Sequence, residues 1–403
     1  MLSTLEAPAP VEQEYRWTLN FGPQHPATHT TLRLVLQIEG EKVVDAKPDI
    51  GYLHSGFEKI GEHLNYNQYV TVTDRMNYIS PLSNNIAWHN VVETLLGIEI
   101  TPRCKYIRTI LAELARISDH LLCDGAMALD TGAFTAFLYA FNQREVLYSI
   151  FETLCGARFT TSYTRTGGLM YDATPLFIEQ VRQFVKAFPA VHSEMCRLLN
   201  RNRIFVERTK GIGYLSKEDA TNRSATGPVA RASGVTRDLR KDEPYLAYAD
   251  FDFNVVCSTG GDCFHRYLVR MDEMLESLKI VQQAIENLPS GPVNVPMAER
   301  TILPDKDRVY DTIEGLITHF EVVMTNRGFE TPRDECYAAI EAPNGELGFY
   351  LVGDGSEIAY RARCRPPSFI HFALFPDLIR GHTVSDIVAV LGSLNIIAAE
   401  LDR

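Results

Sequence analysis

The sequence has no C-x-x-C pair, although it contains eight cysteines among its 403 residues. The two closest, Cys257 and Cys263, are separated by five residues. Zinc and iron–sulfur sites usually hold thiolates roughly two to four residues apart, so this spacing argues against such a site within the chain. Mostly buried, reduced structural thiols fit the even spread of the cysteines better.

Signals for membrane spanning, secretion and nucleotide binding are also missing. No apolar run approaches the roughly 18 residues that a membrane-spanning helix needs. Residues 1–13 contain no Lys or Arg, so we expect neither a secretory signal nor a transit peptide but a disordered tail over residues 1–15 of a cytoplasmic chain. The sequence has no G-x-x-x-x-G-K-[ST] loop and no G-x-S-x-G elbow, and residues 211–216 lack the third glycine of a dinucleotide motif. Electron carriers for any redox reaction are therefore expected on other chains.

Positive charge is scarce overall, because the net charge is −12. This balance disfavours nucleic acid as a partner. One part of the chain departs from this negative overall charge, since basic residues cluster between Arg197 and Lys241. A solvated face is the default interpretation of this cluster, and a surface for an acidic partner is the alternative.

A short loop near the start carries two histidines between prolines. Residues 22–29 read Gly-Pro-Gln-His-Pro-Ala-Thr-His. Pro23 and Pro26 fix φ near −65°, so they hold His25 and His29 in a stiff loop ahead of an alternating strand. Imidazole titrates near neutrality, which suits proton delivery or hydrogen bonding to a ligand. The alternative is a loop whose histidines only bond to buried carbonyl groups.

The periodicity of apolar residues predicts a mostly helical α+β chain with small sheets at its edges. A β-hairpin is expected around Gly40, and residues 207–261 read as turns with short strands. Residues 336–363 alternate as strands. Helices are predicted over 83–97, 101–123, 133–155 (apolar and expected to be buried), 175–188, 190–206 (separated from the preceding helix by Pro189), 262–288 and 384–403.

Several motifs, in order along most of the chain, resemble those of one family, the core D subunit of the proton-pumping NADH–quinone oxidoreductase, respiratory complex I. The resemblance covers about residues 16–403. The motifs are residues 22–29, Gly51-Tyr-Leu-His54, Asp74-Arg-Met-Asn-Tyr78, Ser162-Tyr163, Gly227-Pro228, Arg231-Ala-Ser-Gly234, Asp238-Leu-Arg240, Glu341-Ala-Pro-Asn-Gly-Glu-Leu-Gly348, Arg365-Pro-Pro-Ser-Phe369 and Glu400-Leu-Asp-Arg403.

That family is similar to the large subunit of nickel–iron hydrogenases, which implies a hydrogenase-large-subunit-like fold in a single domain over residues 16–403. Its expected parts are an N-terminal β-hairpin with the histidine loop (16–50), a helical bundle (51–206), an irregular segment (207–261) and a helix, small sheet and C-terminal helix (262–403). Hydrogenases hold their metal with two C-x-x-C pairs. Ile397 and Glu400 stand where the second pair would lie, so the resemblance implies no metal site but a cavity that holds a quinone head group.

The resemblance assigns roles to three residues. His29 would bond one carbonyl of the head group, Tyr78 would bond the other, and Asp130 would be the acidic partner of His29. A core tyrosine and a helix-ending aspartate are the structural alternatives for Tyr78 and Asp130.

Three further residues are candidates for lining the quinone cavity. They are His25, His54 and Thr160. For His25 the alternative is a role in orienting the loop, and for His54 it is a structural role.

The resemblance also implies partners and cofactors. Quinone would be the substrate, and this chain would bind no cofactor of its own. The [4Fe-4S] cluster would lie on the adjacent B subunit, and NADH and FMN would bind other subunits. The B, C, I and H subunits of complex I would be partners, with the C subunit encoded separately, and the complex would place this chain peripherally on the cytoplasmic side of the bacterial inner membrane.

Alternative functions are the equivalent subunit of a ferredoxin- or deazaflavin-dependent complex, a hydrogenase, and a scaffold without chemistry. Three positions depart from the usual family pattern. Ser55 stands where Arg is usual, Thr160 stands near a position where many members have His, and Asn395 replaces the first Asp of the usual ending.

Overall fold

The computed structural model describes residues 16–28, 31–296, 302–324 and 329–403. The predicted tail over residues 1–15 and His29 lie outside the described residues. The described part is mostly helical with small antiparallel sheets, which confirms the predicted α+β class. The likeness to hydrogenase large subunits and the division into segments of one domain remain predictions.

Three small sheets form, with strand orders β1-β2-β3, β4-β5 and β6-β7-β8. The strands are β1 Arg16–Phe21, β2 Arg33–Glu39, β3 Lys42–Asp49, β4 Thr164–Arg165, β5 Gly168–Leu169, β6 Glu335–Ala342, β7 Gly345–Gly353 and β8 Ala359–Arg365. The predicted hairpin around Gly40 is present, but β1 pairs with β2 along its whole length. The sequence does not reveal β1 because only Phe21 of that strand is buried, so the strand shows no alternation of buried and exposed residues.

Helices make up the rest of the regular structure. They are α1 Phe57–Ile60, α2 Val70–Met76, α3 Pro81–Leu96, α4 Pro102–Asp130, α5 Phe134–Cys155, α6 Pro175–Leu199, α7 Arg203–Thr209, α8 Lys217–Asn222, α9 Gly227–Arg231, α10 Leu239–Asp242, α11 Cys263–Glu286, α12 Lys306–Asp311, α13 Ile313–Val323, α14 Pro367–Ile379, α15 Asp386–Leu394 and α16 Ala398–Asp402. No helix among the described residues is long and apolar enough to cross a membrane.

Helix α4 is longer than the sequence predicts. It begins as expected, because the Thr101 hydroxyl accepts a hydrogen bond from the Cys104 N–H at 3.2 Å. It does not stop near Gly125 but continues to Asp130. A Cβ atom at Gly125 would lie 3.0 Å from the Ala140 Cβ on α5. The glycine therefore allows two helices to pack closely and does not end the first one.

Helix α6 also overrides a sequence signal, because it runs through Pro189 as one helix where a pair was predicted. Proline in a helix interior removes a hydrogen bond and usually breaks the helix. Here the buried side chains continue at helical spacing on both sides of Pro189. They are Val181, Phe184, Phe188, His192, Met195 and Leu199.

Three other predictions need correction. Helix α5 is apolar but not enclosed in this chain, since Phe134, Leu138 and Val146 are exposed. Residues 207–261 contain short helices and no strand. The predicted final helix is two helices, because Asn395 between them has a left-handed backbone with φ 54°.

Part of the basic cluster is not a solvated face. Arg231 and Arg240 are fully buried and pair with acidic residues from distant parts of the chain. The eight cysteines are free, and four of them are buried, whereas Cys257 is exposed. The prediction of buried thiols therefore holds for part of the set.

Candidate functional site

A cavity of about 270 Å³ lies where the end of α4 meets the turn between α15 and α16. The loop before α3 and the histidine loop complete its wall. Its lining residues are Pro26, Tyr78, Ile79, Leu122, Cys123, Ala126, Leu129, Asp130, Leu391, Gly392, Asn395, Ile396 and Ile397. The wall is therefore mostly apolar, with a few polar groups, as in many small-molecule sites.

Two of the predicted site residues share this cavity. Tyr78 lies between α2 and α3, and Asp130 is the last residue of α4, half-buried. Burial raises the pKa of Tyr78, so its phenol is neutral and can donate a hydrogen bond at neutral pH. The extension of α4 beyond Gly125 delivers Asp130 to the cavity.

The histidine loop reaches the same cavity through Pro26. His29 lies outside the described residues. His25 is exposed and does not line the cavity. The Ala27 N–H donates to its Nδ1 at 3.1 Å, and its ring centroid lies 4.4 Å from that of Phe21. These contacts fit a role for His25 in orienting the loop.

His54 and Thr160 are both exposed and do not line the cavity. His54 Nδ1 donates to the Asp402 carbonyl at 2.7 Å, and the Asp402 carboxylate accepts from the N–H groups of Gly51 and Leu53 at 2.9 and 2.7 Å. His54 therefore joins this segment to the end of the chain. Thr160 follows Phe159, whose ring centroid is 6.1 Å from that of Tyr78.

A buried acid that was not predicted from the sequence lies directly behind the cavity wall. Asn395 lines the cavity, and its side-chain amide donates to Asp119 Oδ1 at 2.5 Å. Asp119 is fully buried in α4, and burial raises its pKa to about 6. No signal in the sequence points to it, because Asp119 stands between Ser118 and His120 in a stretch of α4 with other polar residues.

The end of the chain contributes another buried carboxyl group. Glu400 accepts a hydrogen bond from the Ser368 hydroxyl, and burial raises its pKa to about 7. Ile397 lines the cavity as part of the same segment. These are the two positions that the hydrogenase comparison placed at a metal site. Within the described residues, no group of three or more His, Cys, Asp or Glu side chains is arranged to hold a metal ion.

A larger cavity, of about 540 Å³, lies between residues 65–71 and residues 302–306. None of the predicted site residues lines it. Of the predicted site residues, Tyr78 and Asp130 therefore lie together at the smaller cavity.

Known proteins give a consistent comparison. A family model described as "Respiratory-chain NADH dehydrogenase, 49 Kd subunit" matches residues 130–403. The D subunit of the NADH-quinone oxidoreductase of Methylacidiphilum infernorum is 48% identical over 388 residues, which cover 96% of this chain and 92% of that protein. The first D subunit of the same enzyme of Opitutus terrae is 48% identical, over 96% of this chain and 91% of that protein. The second D subunit of that of Cytophaga hutchinsonii is 45% identical, over 97% of this chain and 100% of that protein.

Proposed function

The chain belongs to the 49 kDa subunit family of respiratory-chain NADH dehydrogenase and is a subunit of an oxidoreductase complex, and from this premise we propose that its cavity is where quinone is reduced. The family predicted from the motifs is thereby confirmed. One observation carries the proposal: Tyr78 and Asp130, which are far apart in the sequence, line one mostly apolar cavity together with Pro26 of the histidine loop.

The chemistry of quinone reduction fits these side chains. Two electrons and two protons convert a quinone to a quinol, and each carbonyl oxygen needs a proton donor. Tyr78 supplies one donor, because burial raises its pKa and keeps its phenol protonated. His29 supplies the other in this proposal, and a carboxylate such as Asp130 nearby would favour its imidazolium form.

The apolar wall supports the same assignment. Ile79, Leu122, Leu129 and Leu391 surround the polar groups, so the wall excludes water from a bound ring. The volume of about 270 Å³ is near the lower limit for small-molecule pockets. A cavity of this size suits one substituted ring.

We further propose that the B subunit of the complex completes the chamber and carries the [4Fe-4S] cluster that supplies electrons, whereas NADH and FMN bind other subunits. The C, I and H subunits are the other proposed partners, and the chain would lie peripherally on the cytoplasmic side of the bacterial inner membrane. The apolar side chains of Phe134 and Leu138 support a partner, since they are exposed in this chain at the start of α5. Reduction in the chamber would be coupled to proton translocation. The names of the relatives favour NADH over ferredoxin or a deazaflavin as the electron source.

Tyr78→Phe in the native membrane tests the proposal. Oxidation of NADH by quinone is compared with oxidation by an artificial acceptor that takes electrons upstream. We expect quinone turnover to fall about 100-fold, as for loss of a proton donor, while the upstream rate is unchanged. Unchanged rates with both acceptors would contradict the proposal. A parallel fall of both would show that Tyr78 only holds the complex together.

Tyr66→Phe is the matched control. Tyr66 is also buried, its hydroxyl lies 2.9 Å from Thr331 Oγ1, and it does not line this cavity. Its loss removes one hydroxyl from the core without touching the proposed site. Quinone turnover per assembled complex should therefore stay at the wild-type value.

A further inference from the structure

Two buried carboxyl groups behind the cavity wall are joined through two amides. The Asn395 side chain donates to Asp119 Oδ1 at 2.5 Å and to Asn344 Oδ1 at 2.6 Å. The Asn344 side chain donates in turn to Glu400 Oε2 at 3.5 Å and to the Asn395 carbonyl at 3.2 Å. Since Asn395 lines the cavity, this connection places both acids directly behind the proposed site.

Neither acid has a full set of partners among the described residues. Asp119 Oδ2 and Glu400 Oε1 are buried and accept no hydrogen bond there, and within the same residues neither carboxyl forms an ion pair. An ionised carboxylate in such a place is unfavourable unless it is paired or protonated. Two acids that interact in this setting favour a state with at least one proton on the pair.

None of the surrounding cations forms an ion pair with either acid among the described residues. The charged groups that face Asp119 or Glu400 from the helices and strands packed around them are Arg116, Asp124, Arg144, Arg270 and Arg365. Arg116 pairs with Glu113 at 3.2 Å, and Arg270 lies 3.7 Å from Asp124. Arg365 donates to the Glu346 carbonyl at 2.5 Å. These arginines therefore lower the cost of one negative charge on the pair without neutralising two.

We propose that Asp119 and Glu400 share one proton and that ionisation of this pair sets the upper pH limit for quinone reduction in the cavity. The inference rests on the proposed function. Proton donation from the cavity residues leaves negative charge beside Asn395, and a second negative charge on the pair opposes that step. At higher pH the pair loses its proton, so reduction slows.

The pKa directions agree with this geometry. Burial raises the pKa of Asp119 to about 6 and that of Glu400 to about 7, and the charge of Asp119 raises the pKa of Glu400 further. The pair therefore loses its protons across the neutral range, where ordinary carboxyl groups are already ionised.

An exchange of side chains gives a sharp test. Asp119 and Asn395 face each other across one hydrogen bond, so Asp119→Asn with Asn395→Asp keeps one acid and one amide at the same place. Asn395→Asp alone puts two carboxyl groups against each other and strongly raises one pKa. Asp119→Asn alone removes one acid from the pair.

The experiment uses the assembled complex in native membranes and measures quinone turnover relative to the upstream acceptor as pH rises. With Asp119→Asn only Glu400 can ionise, so the pair never carries two negative charges. The fall at alkaline pH should therefore disappear, even though loss of the Asp119 charge lowers the pKa of Glu400. Asn395→Asp adds a carboxyl group, and so negative charge, at the cavity wall. If this charge shifts the pKa of the proton donor by one unit, which is a tenfold change in proton affinity, turnover at neutral pH should fall about tenfold. The double variant should return to within about threefold of wild type, well inside that tenfold step.

Infrared spectroscopy of the resting complex gives a readout that does not depend on turnover. Asp124, whose pKa burial raises to about 8, also contributes a protonated carboxyl group near neutral pH. The shared proton should therefore appear in wild type as a second carboxyl band, one that changes with Asp119→Asn. Absence of this band, a wild-type pH profile in Asp119→Asn, or a double variant no better than the single variants would each overturn the inference. If Tyr78→Phe left quinone turnover intact, the proposed function would fail, while the infrared band would still report on the shared proton.

Discussion

Replacement of Arg231 by Met should strongly destabilise the protein. Arg231 ends the short helix α9 and is fully buried. Its guanidinium lies 2.6 Å from the Glu273 carboxylate on α11 and 2.7 Å from that of Glu341 on β6. One side chain thereby joins three parts of the chain that are distant in sequence.

The charges around Arg231 set the size of the effect. The buried cluster contains Arg116 and Arg240 as further cations, and its acids are Glu113, Asp238, Glu273 and Glu341. Loss of one partner from a buried ion pair typically costs about 3–5 kcal/mol, because the opposite charge stays buried without compensation. Since a domain is stable by only about 5–15 kcal/mol, Arg231→Met should remove a large fraction of the total.

Denaturant unfolding of the full chain measures this loss. Arg203→Met is the matched control, because Arg203 is 87% exposed and pairs with Glu207 at 2.8 Å one helical turn away. Exposed pairs of this kind contribute about 0–1 kcal/mol, so the control should unfold almost as wild type does. A similar small loss in both variants would refute the view that the buried ion-pair cluster stabilises the fold.

Two further predictions concern stability. Burial raises the pKa of Glu400 to about 7 in the fold, compared with about 4.3 in an unfolded chain. The folded state therefore binds more protons between these values, and this group alone should lower the stability by about 3 kcal/mol as pH rises from about 5 to 8. Glu400→Gln should weaken the pH dependence without removing the part that comes from Asp119, and parallel pH profiles of thermal unfolding in wild type and variant would contradict this. Gly227 and Gly97 both have φ 64°, but a Cβ atom would lie 2.5 Å from the Gly345 Cα only at Gly227. Gly97→Ala should therefore cost about 1–2 kcal/mol and Gly227→Ala roughly 2 kcal/mol more, and equal losses in denaturant unfolding would refute the steric argument.

Local signals in the sequence predicted the start of α4 but not its end. The start of α4 follows from the Thr101 hydroxyl and the proline after it, which act within one turn. Its end does not, because Gly125 serves contact with Ala140 on another helix. The prediction that a helix ends at Pro189 was wrong for the same reason. Packing of the buried side chains of α6 on both sides of Pro189 compensates for the backbone hydrogen bond that proline removes.

Long-range pairing explains the other differences. The sequence does not distinguish a buried arginine from an exposed one. The burial of Arg231 could not be predicted because its acidic partners come from α11 and β6, which are distant in the sequence. The sequence did not predict a role for Asp119 because its link to the cavity is a hydrogen bond from Asn395, which lies on a turn at the other end of the chain. Tyr78 and Asp130 came from the resemblance to a family, and the structure shows that both line one cavity.

Labelling with a photoreactive quinone tests the central claim most directly. The complex in its native membrane is irradiated with the labelled quinone, with and without an excess of unlabelled quinone, and the modified peptides of this chain are identified. The account predicts label within residues 78–79, 122–130 or 391–397, the segments that contribute most of the cavity lining, and loss of that label under competition. Label confined to other parts of the complex, or label in these residues that competition does not reduce, would contradict it.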